Sequence, residues 1–137
     1  MTVVVDTSVA AKWFINEAGR EQALKVLDDP ERHAPDLIIA EIANVAWKKA
    51  NRGEITDDQA RFICASTGRY FGALHGSEVL VGRAIAIALQ LRHPVYDCLY
   101  LACAERVGSQ VITADRRLLA AIAGTEFASV ATHVAAF

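Results

Sequence analysis

Thr2-Val3-Val4-Val5-Asp6-Thr7-Ser8-Val9 is the stretch that decides the fold. Three successive β-branched residues with no polar alternation read as a strand covered on both faces, the pattern of a parallel sheet between helices. The strand runs straight into a carboxylate and two hydroxyls. The apolar spacing of Val9, Ala10, Trp13 and Phe14 then predicts a short amphipathic helix capped by Asp6, Thr7 or Ser8. Ligands of open parallel sheets bind beyond the carboxyl ends of the strands, so Asp6 stands where chemistry is usually done.

Working outward, a helix is expected from about Gly19 to Asp28 with Ala23, Leu24 and Leu27 inward, ending before Pro30. His33-Ala34-Pro35-Asp36 reads as an extended link or edge strand. A helix from about Leu37 to Asn51 follows, with Ile38, Ile39, Ile42, Val45, Ala46 and Trp47 on its apolar side and Lys48, Lys49 and Arg52 at its C-terminus. Thr56-Asp57-Asp58-Gln59 matches a capping box, and the helix it opens is expected to reach about Leu74 with Phe62 and Ile63 buried. After a loop and a short strand around Val79, helices are expected at about Val81 to Leu91 and, with Pro94 at its first turn, Val95 to Val107, closed by Gly108. Gln110-Val111-Ile112-Thr113 is a second buried strand. A helix follows Asp115, and Phe127 to Val130 is a candidate last strand. Strands alternating with a larger number of helices give an α/β class with a small, mostly parallel sheet, and residues 1–137 suit one domain.

Composition narrows the functions. With 53% hydrophobic and 22% charged residues and no apolar run near the roughly 18 residues of a spanning helix, a cytoplasmic protein with no membrane association is expected. Cys64, Cys98 and Cys103 are odd in number, form no C-x-x-C pair and read as reduced core thiols. His33, His75, His93 and His133 show no metal-ligand spacing, which disfavours zinc. A net charge of −2 argues against a protein that grips nucleic acid by overall basicity. An anionic substrate must be met locally, and a divalent cation reverses the sign of an acidic pocket.

Four acids do not look like surface acids. Asp6, Glu41, Asp97 and Asp115 each sit in an apolar segment where an unpaired buried charge costs several kcal/mol. Asp6 and Asp115 follow strands, Asp97 opens a helix, and Glu41 lies mid-helix on the ridge of Leu37 and Val45. Taken singly, Asp6 and Asp115 are explained as N-caps, Asp97 by the helix dipole, and Glu41 by pairing with Lys12 or Lys48. Taken together they call for a hard cation with oxygen ligands, Mg²⁺ or Mn²⁺. Ser8 and Thr113 are placed to bond a carboxylate, and Lys12, Arg116 and Arg117 lie near the same rim by sequence, where solvated cations are the ordinary alternative.

The chain resembles the PIN domain, most closely the VapC-type toxin ribonucleases of toxin–antitoxin modules. The likeness rests on Val5-Asp6-Thr7-Ser8-Val9, Pro35-Asp36-Leu37-Ile38-Ile39-Ala40-Glu41, Val95-Tyr96-Asp97-Cys98-Leu99-Tyr100, and Thr113-Ala114-Asp115-Arg116-Arg117. It implies a three-layer α/β/α fold and a metal-dependent endoribonuclease whose acidic quartet, Asp6, Glu41, Asp97 and Asp115, holds Mg²⁺ or Mn²⁺. Thr113 is implied as an auxiliary residue. It also implies RNA as substrate, a cognate VapB-like antitoxin and a homodimer. Two other readings compete: a catalytically inert PIN-like binding module in which the acids are only caps, and a phosphatase with Asp6 as nucleophile. The latter wants a second acid where the chain has Ser8.

Overall fold

A computed structural model describes residues 2–137. Five parallel strands form one sheet in the order β3-β2-β1-β4-β5. They are β1 (Thr2–Val5), β2 (Glu31–Pro35), β3 (Ala73–His75), β4 (Val111–Thr113) and β5 (Ala131–His133). Seven α-helices flank them among the described residues: α1 (Thr7–Phe14), α2 (Arg20–Lys25), α3 (Leu37–Asn51), α4 (Asp57–Ser66), α5 (Ser77–Leu91), α6 (Val95–Val107) and α7 (Arg116–Ile122). The expected α/β/α class is what the chain adopts.

β1 is the central strand because its run of valines has nowhere polar to face. Val3, Val4 and Val5 are buried, with Val4 opposite His33 on one side and Val111 on the other. The chain builds outward from β1 through β2 to β3, then returns to place β4 and β5 on the opposite side. That reversal makes a crevice at the carboxyl ends of β1 and β4. The Asp6 N–H still donates to the Ile112 carbonyl at 3.1 Å, so the first residue beyond β1 is held against the neighbouring strand.

α6 packs on β1, β2 and β4, and its residues Cys98 to Ala104 are all buried. This explains why its sequence is apolar all round rather than striped. Gly108, with φ of +68°, ends it in the left-handed conformation that a side chain disfavours. Thr56 and Gln59 form the expected capping box of α4.

Several expectations are corrected. β2 is an interior strand and not an edge; Pro35 is tolerated there because pairing with β1 ends at His33, leaving its missing N–H uncalled for on that side. The chain from Gly19 to Asp28 is a helix of six residues followed by a 3-10 turn, and Leu24 faces outward. α4 stops at Ser66, and Thr67–Tyr70 continues as a 3-10 turn. The strand expected near Val79 is instead Ala73–His75, and Val79 lies in α5. β5 begins one residue after the stretch expected to form it. Ile39, Trp47 and Phe62 are exposed although helical spacing placed them inward, because α3 and α4 bury Ile38, Ile42, Ala46 and Ile63 instead. Cys64 is exposed on α4, unlike Cys98 and Cys103, whose thiols burial pushes up to about 11 and about 12. His33 and His75, far apart in the chain, meet across β2 and β3 with Nδ1 and Nε2 3.0 Å apart. No helix among the described residues is long and apolar enough to cross a membrane.

Candidate active site

Each of the four acids is delivered by a different element. Asp6 follows β1 and, although it is the N-cap residue of α1, its side chain caps nothing. Instead Ser8 Oγ and Thr113 Oγ1 both donate to Asp6 Oδ2, at 2.9 and 2.7 Å. Only 6% of Asp6 is exposed. Burial raises its carboxyl from 3.8 to about 6, the two hydroxyls oppose that, and the charges of Asp97 and Glu41 add to it. Those three acids are therefore electrostatic neighbours, as the sheet topology demands.

Glu41 projects from the second turn of α3. The alternative of pairing with Lys12 or Lys48 is not what the structure shows: Thr7 Oγ1 and Tyr100 Oη both donate to Glu41 Oε1, at 2.8 and 2.5 Å. The Tyr100 phenol is buried, and burial followed by the charges of Asp6 and Glu41 holds its pKa well above 10, so it stays a neutral donor. Asp97, in the first turn of α6, has Oδ2 2.6 Å from His93 Nε2. Asp115 does act as a cap: its Oδ1 accepts the backbone N–H groups of Arg117 and Leu118 at 2.9 and 3.4 Å. Its own N–H donates to Thr113 Oγ1 at 2.9 Å, which links it to Asp6 through one hydroxyl.

A common arrangement emerges. In every one of the four acids the hydrogen bonds fall on a single oxygen, leaving Asp6 Oδ1, Glu41 Oε2, Asp97 Oδ1 and Asp115 Oδ2 uncommitted among the described residues. Exposed acids such as Asp36 and Asp58 are also bonded on one oxygen, so what sets the four apart is the burial of Asp6, the charges of Asp97 and Glu41 acting on it, and its link to Asp115 through Thr113.

The candidate cations are more peripheral. Lys12 is 3.5 Å from Glu17 and points its ammonium at that partner. Arg116 and Arg117 are exposed at the start of α7. The larger surface grooves lie elsewhere, chiefly between α3 and α4. The sequence reading missed Thr7, Tyr100 and His93. The signal for Tyr100 was spacing, since it stands three residues after Asp97 on the same face of α6, whereas His93 precedes that helix and carried no such signal.

The PIN domain family matches residues 3–124. The chain belongs to the PIN-domain family. Ribonuclease VapC3 of Pyrobaculum aerophilum is 36% identical to this PIN domain over 121 residues, 86% of the chain and 92% of the relative. Two solved structures share the fold. A crystal structure of a Pyrobaculum aerophilum protein superposes with a TM-score of 0.74 at 24% identity, covering 99% of this chain and 91% of that one. A toxin–antitoxin complex from Klebsiella pneumoniae gives 0.71 at 18% identity, covering 97% and 98%.

The donor chemistry of this PIN domain fits a hard divalent ion. Four carboxylates with one free oxygen each, Asp6 and Glu41 steadied by hydroxyls, Asp97 by the His93 ring and Asp115 by backbone N–H groups, are the ligand type of Mg²⁺ and Mn²⁺. No three of its acidic, His or Cys side chains already converge tightly enough to enclose an ion among the described residues. Mg²⁺ keeps several of its waters and takes only one or two carboxylates directly, so a loose acidic rim suits it better than a closed cage.

Proposed function

We propose that this PIN domain is a Mg²⁺- or Mn²⁺-dependent endoribonuclease, the toxin of a toxin–antitoxin pair, and that Asp6, Glu41, Asp97 and Asp115 are its catalytic and metal-holding residues. The observation that carries the reading is Asp6, buried at the switch point of the sheet, joined to Asp115 through Thr113 and acted on by the charges of Asp97 and Glu41. The 36% identity to a ribonuclease over most of both chains supports RNA as the substrate.

A bound Mg²⁺ or Mn²⁺ supplies a lowered pKa for an attacking water and neutralises charge on the scissile phosphate. The chain's residues do the rest. Asp6, Asp97 and Asp115 would hold the ion, directly or through water, with Glu41 beside them. Ser8 and Thr113 keep the Asp6 carboxylate from rotating and favour its charged form against burial. Glu41, clamped by Thr7 and Tyr100, has Oε2 free to orient the attacking water or take its proton. Arg116 and Arg117 are the side chains free to meet phosphates, weakly and in solvent; Lys12 serves this only by leaving Glu17.

Two surfaces support protein partners. The groove between α3 and α4 is lined by Ala43, Ala46, Trp47, Ala50, Ala60 and Cys64 together with Asn51, Asp57 and Arg61, which suits an amphipathic segment of an antitoxin. Val81, Ile85 and Leu89 form an exposed ridge on α5 suited to a homodimer.

The inert-module reading draws on one observation, the ordinary capping of α7 by Asp115. Wild type and Asp6→Asn, incubated with RNA and Mn²⁺, separate the two. Cleavage and a Mn²⁺-induced rise in melting temperature, both lost in Asp6→Asn, support the nuclease. Intact RNA and unchanged melting temperature in both proteins sink it.

A further inference from the structure

Among the bonds to the four acids, only that of Asp97 comes from a ring nitrogen. His93 Nε2 lies 2.6 Å from Asp97 Oδ2 and, since a carboxylate only accepts, Nε2 carries the hydrogen. The backbone that brings the ring there is unusual. Arg92 has φ of +53°, the only positive value for a non-glycine residue among the described residues. It ends α5 in a conformation an L-residue disfavours, and the surrounding structure must hold it there. His93 N–H then closes back on the Ala88 carbonyl at 3.1 Å, and Pro94, with its φ fixed by the ring, opens α6. Three consecutive constrained residues thus aim one imidazole at the first turn of α6, where its side chain is only 15% exposed.

We propose that His93 is a positioning residue for the cation: its Nε2–H holds Asp97 Oδ2 so that Oδ1 alone is presented as a ligand. This rests on the reading that the quartet binds a divalent ion. His93 makes no hydrogen bond to Asp6, Glu41 or Asp115, so it acts through Asp97 and not on substrate. Partners that orient a ligating carboxylate set how much order the ion must impose on binding, and their loss weakens metal affinity. The competing role is local: the pair spans i and i+4 across the start of α6, and in that role it only fastens the α5–α6 junction.

The test is Mn²⁺ titration of the full chain at one fixed pH, following free ion by electron paramagnetic resonance, alongside the melting temperature of the metal-free protein. Wild type, His93→Ala, His93→Leu, His93→Gln and Asp6→Asn are compared. Alanine and leucine are expected to lower Mn²⁺ affinity by roughly 10–100-fold, while glutamine, which keeps an N–H donor, recovers most of it. Leucine fills the ring's space, so a folding defect of the alanine variant does not stand in the way. Affinity equal to wild type in the leucine variant overturns the inference, as does a glutamine variant no better than leucine. If wild type binds no Mn²⁺, or Asp6→Asn binds it equally well, the metal reading itself falls and takes this inference with it.

Discussion

The Thr113 hydroxyl donates to Asp6 Oδ2 at 2.7 Å and accepts the Asp115 N–H at 2.9 Å, so one buried side chain at the end of β4 governs two acids. Thr113→Val keeps the shape and removes both bonds. It leaves the Asp115 N–H without that acceptor and should cost roughly 1–3 kcal/mol in denaturant unfolding. Because the lost bond favours the charged form of Asp6, the carboxyl should rise further above about 6. The acidic limb of the pH profile for RNA cleavage should then move to higher pH, and Thr113→Ser should restore it. A valine variant with an unmoved acidic limb would separate Thr113 from Asp6.

Burial of Asp6 predicts an inverted pH dependence for the metal-free protein. Its folded carboxyl lies at about 6 against an ordinary 3.8. Between those values the native state holds a proton that the unfolded chain has released, so this group's contribution to stability falls as pH rises from about 4 to about 6. At neutral pH the ionised Asp6 destabilises the apo fold by roughly 3 kcal/mol, at about 1.4 kcal/mol per tenfold change in proton affinity. His75, whose pKa burial lowers before the charges of His33 and Arg106 do, acts in the opposite direction, losing stability as pH falls below its unfolded value. The measurement is therefore a difference: Asp6→Asn should exceed wild type in EDTA at pH 7.5, and the gap should shrink towards pH 4. A gap that stays constant would show that Asp6 is not the group responsible.

Asp115 has two proposed duties that substitution can part. Its Oδ1 caps α7 while Oδ2 is uncommitted. Asp115→Ala should lose the cap, about 1 kcal/mol, and RNA cleavage together. Asp115→Ser retains a capping oxygen without the charge. Near-wild-type stability with cleavage lost in the serine variant is the expected outcome in melting and nuclease assays; active serine variant protein would reduce Asp115 to a cap.

The legibility of the sequence followed the range of the interaction. Val3 to Val5 announced a buried parallel strand, and Asp6, Asp97 and Asp115 could be placed because each adjoins an element boundary with its own local signature. Glu41 was legible for the opposite reason, a charge in mid-helix with no local excuse. What answers these charges was not legible. Tyr100 looks like one more apolar residue of α6, and its meeting with Glu41 depends on how α3 and α6 pack across 59 residues of chain. Trp47 and Phe62 were misplaced because helical spacing marks an apolar stripe but not which part of it a neighbouring helix covers. Pro35 suggested an edge strand, and what composition could not show is that pairing with β1 ends at His33, so its missing N–H is not called on.

The clamp on Glu41 offers a further test of cooperation. Thr7 Oγ1 and Tyr100 Oη lie 2.8 Å apart and, with one proton each, both donate to Glu41 Oε1, so the two hydroxyls share one acceptor. Tyr100→Phe preserves the buried ring and should cost roughly 1.5–3 kcal/mol, the net worth of a hydrogen bond to a charged group. Thr7→Val should do likewise. Removing both leaves Glu41 Oε1 with neither hydroxyl, and the double variant should depart from additivity by roughly 0.5–3 kcal/mol, as neighbours in one network do. In RNA cleavage the clamp orients a group that acts on the attacking water, so kcat should fall in each single variant while KM stays near wild type. Additive stabilities together with unchanged kcat would mean that Glu41 is held by packing of α3 alone and that its hydroxyl partners are incidental.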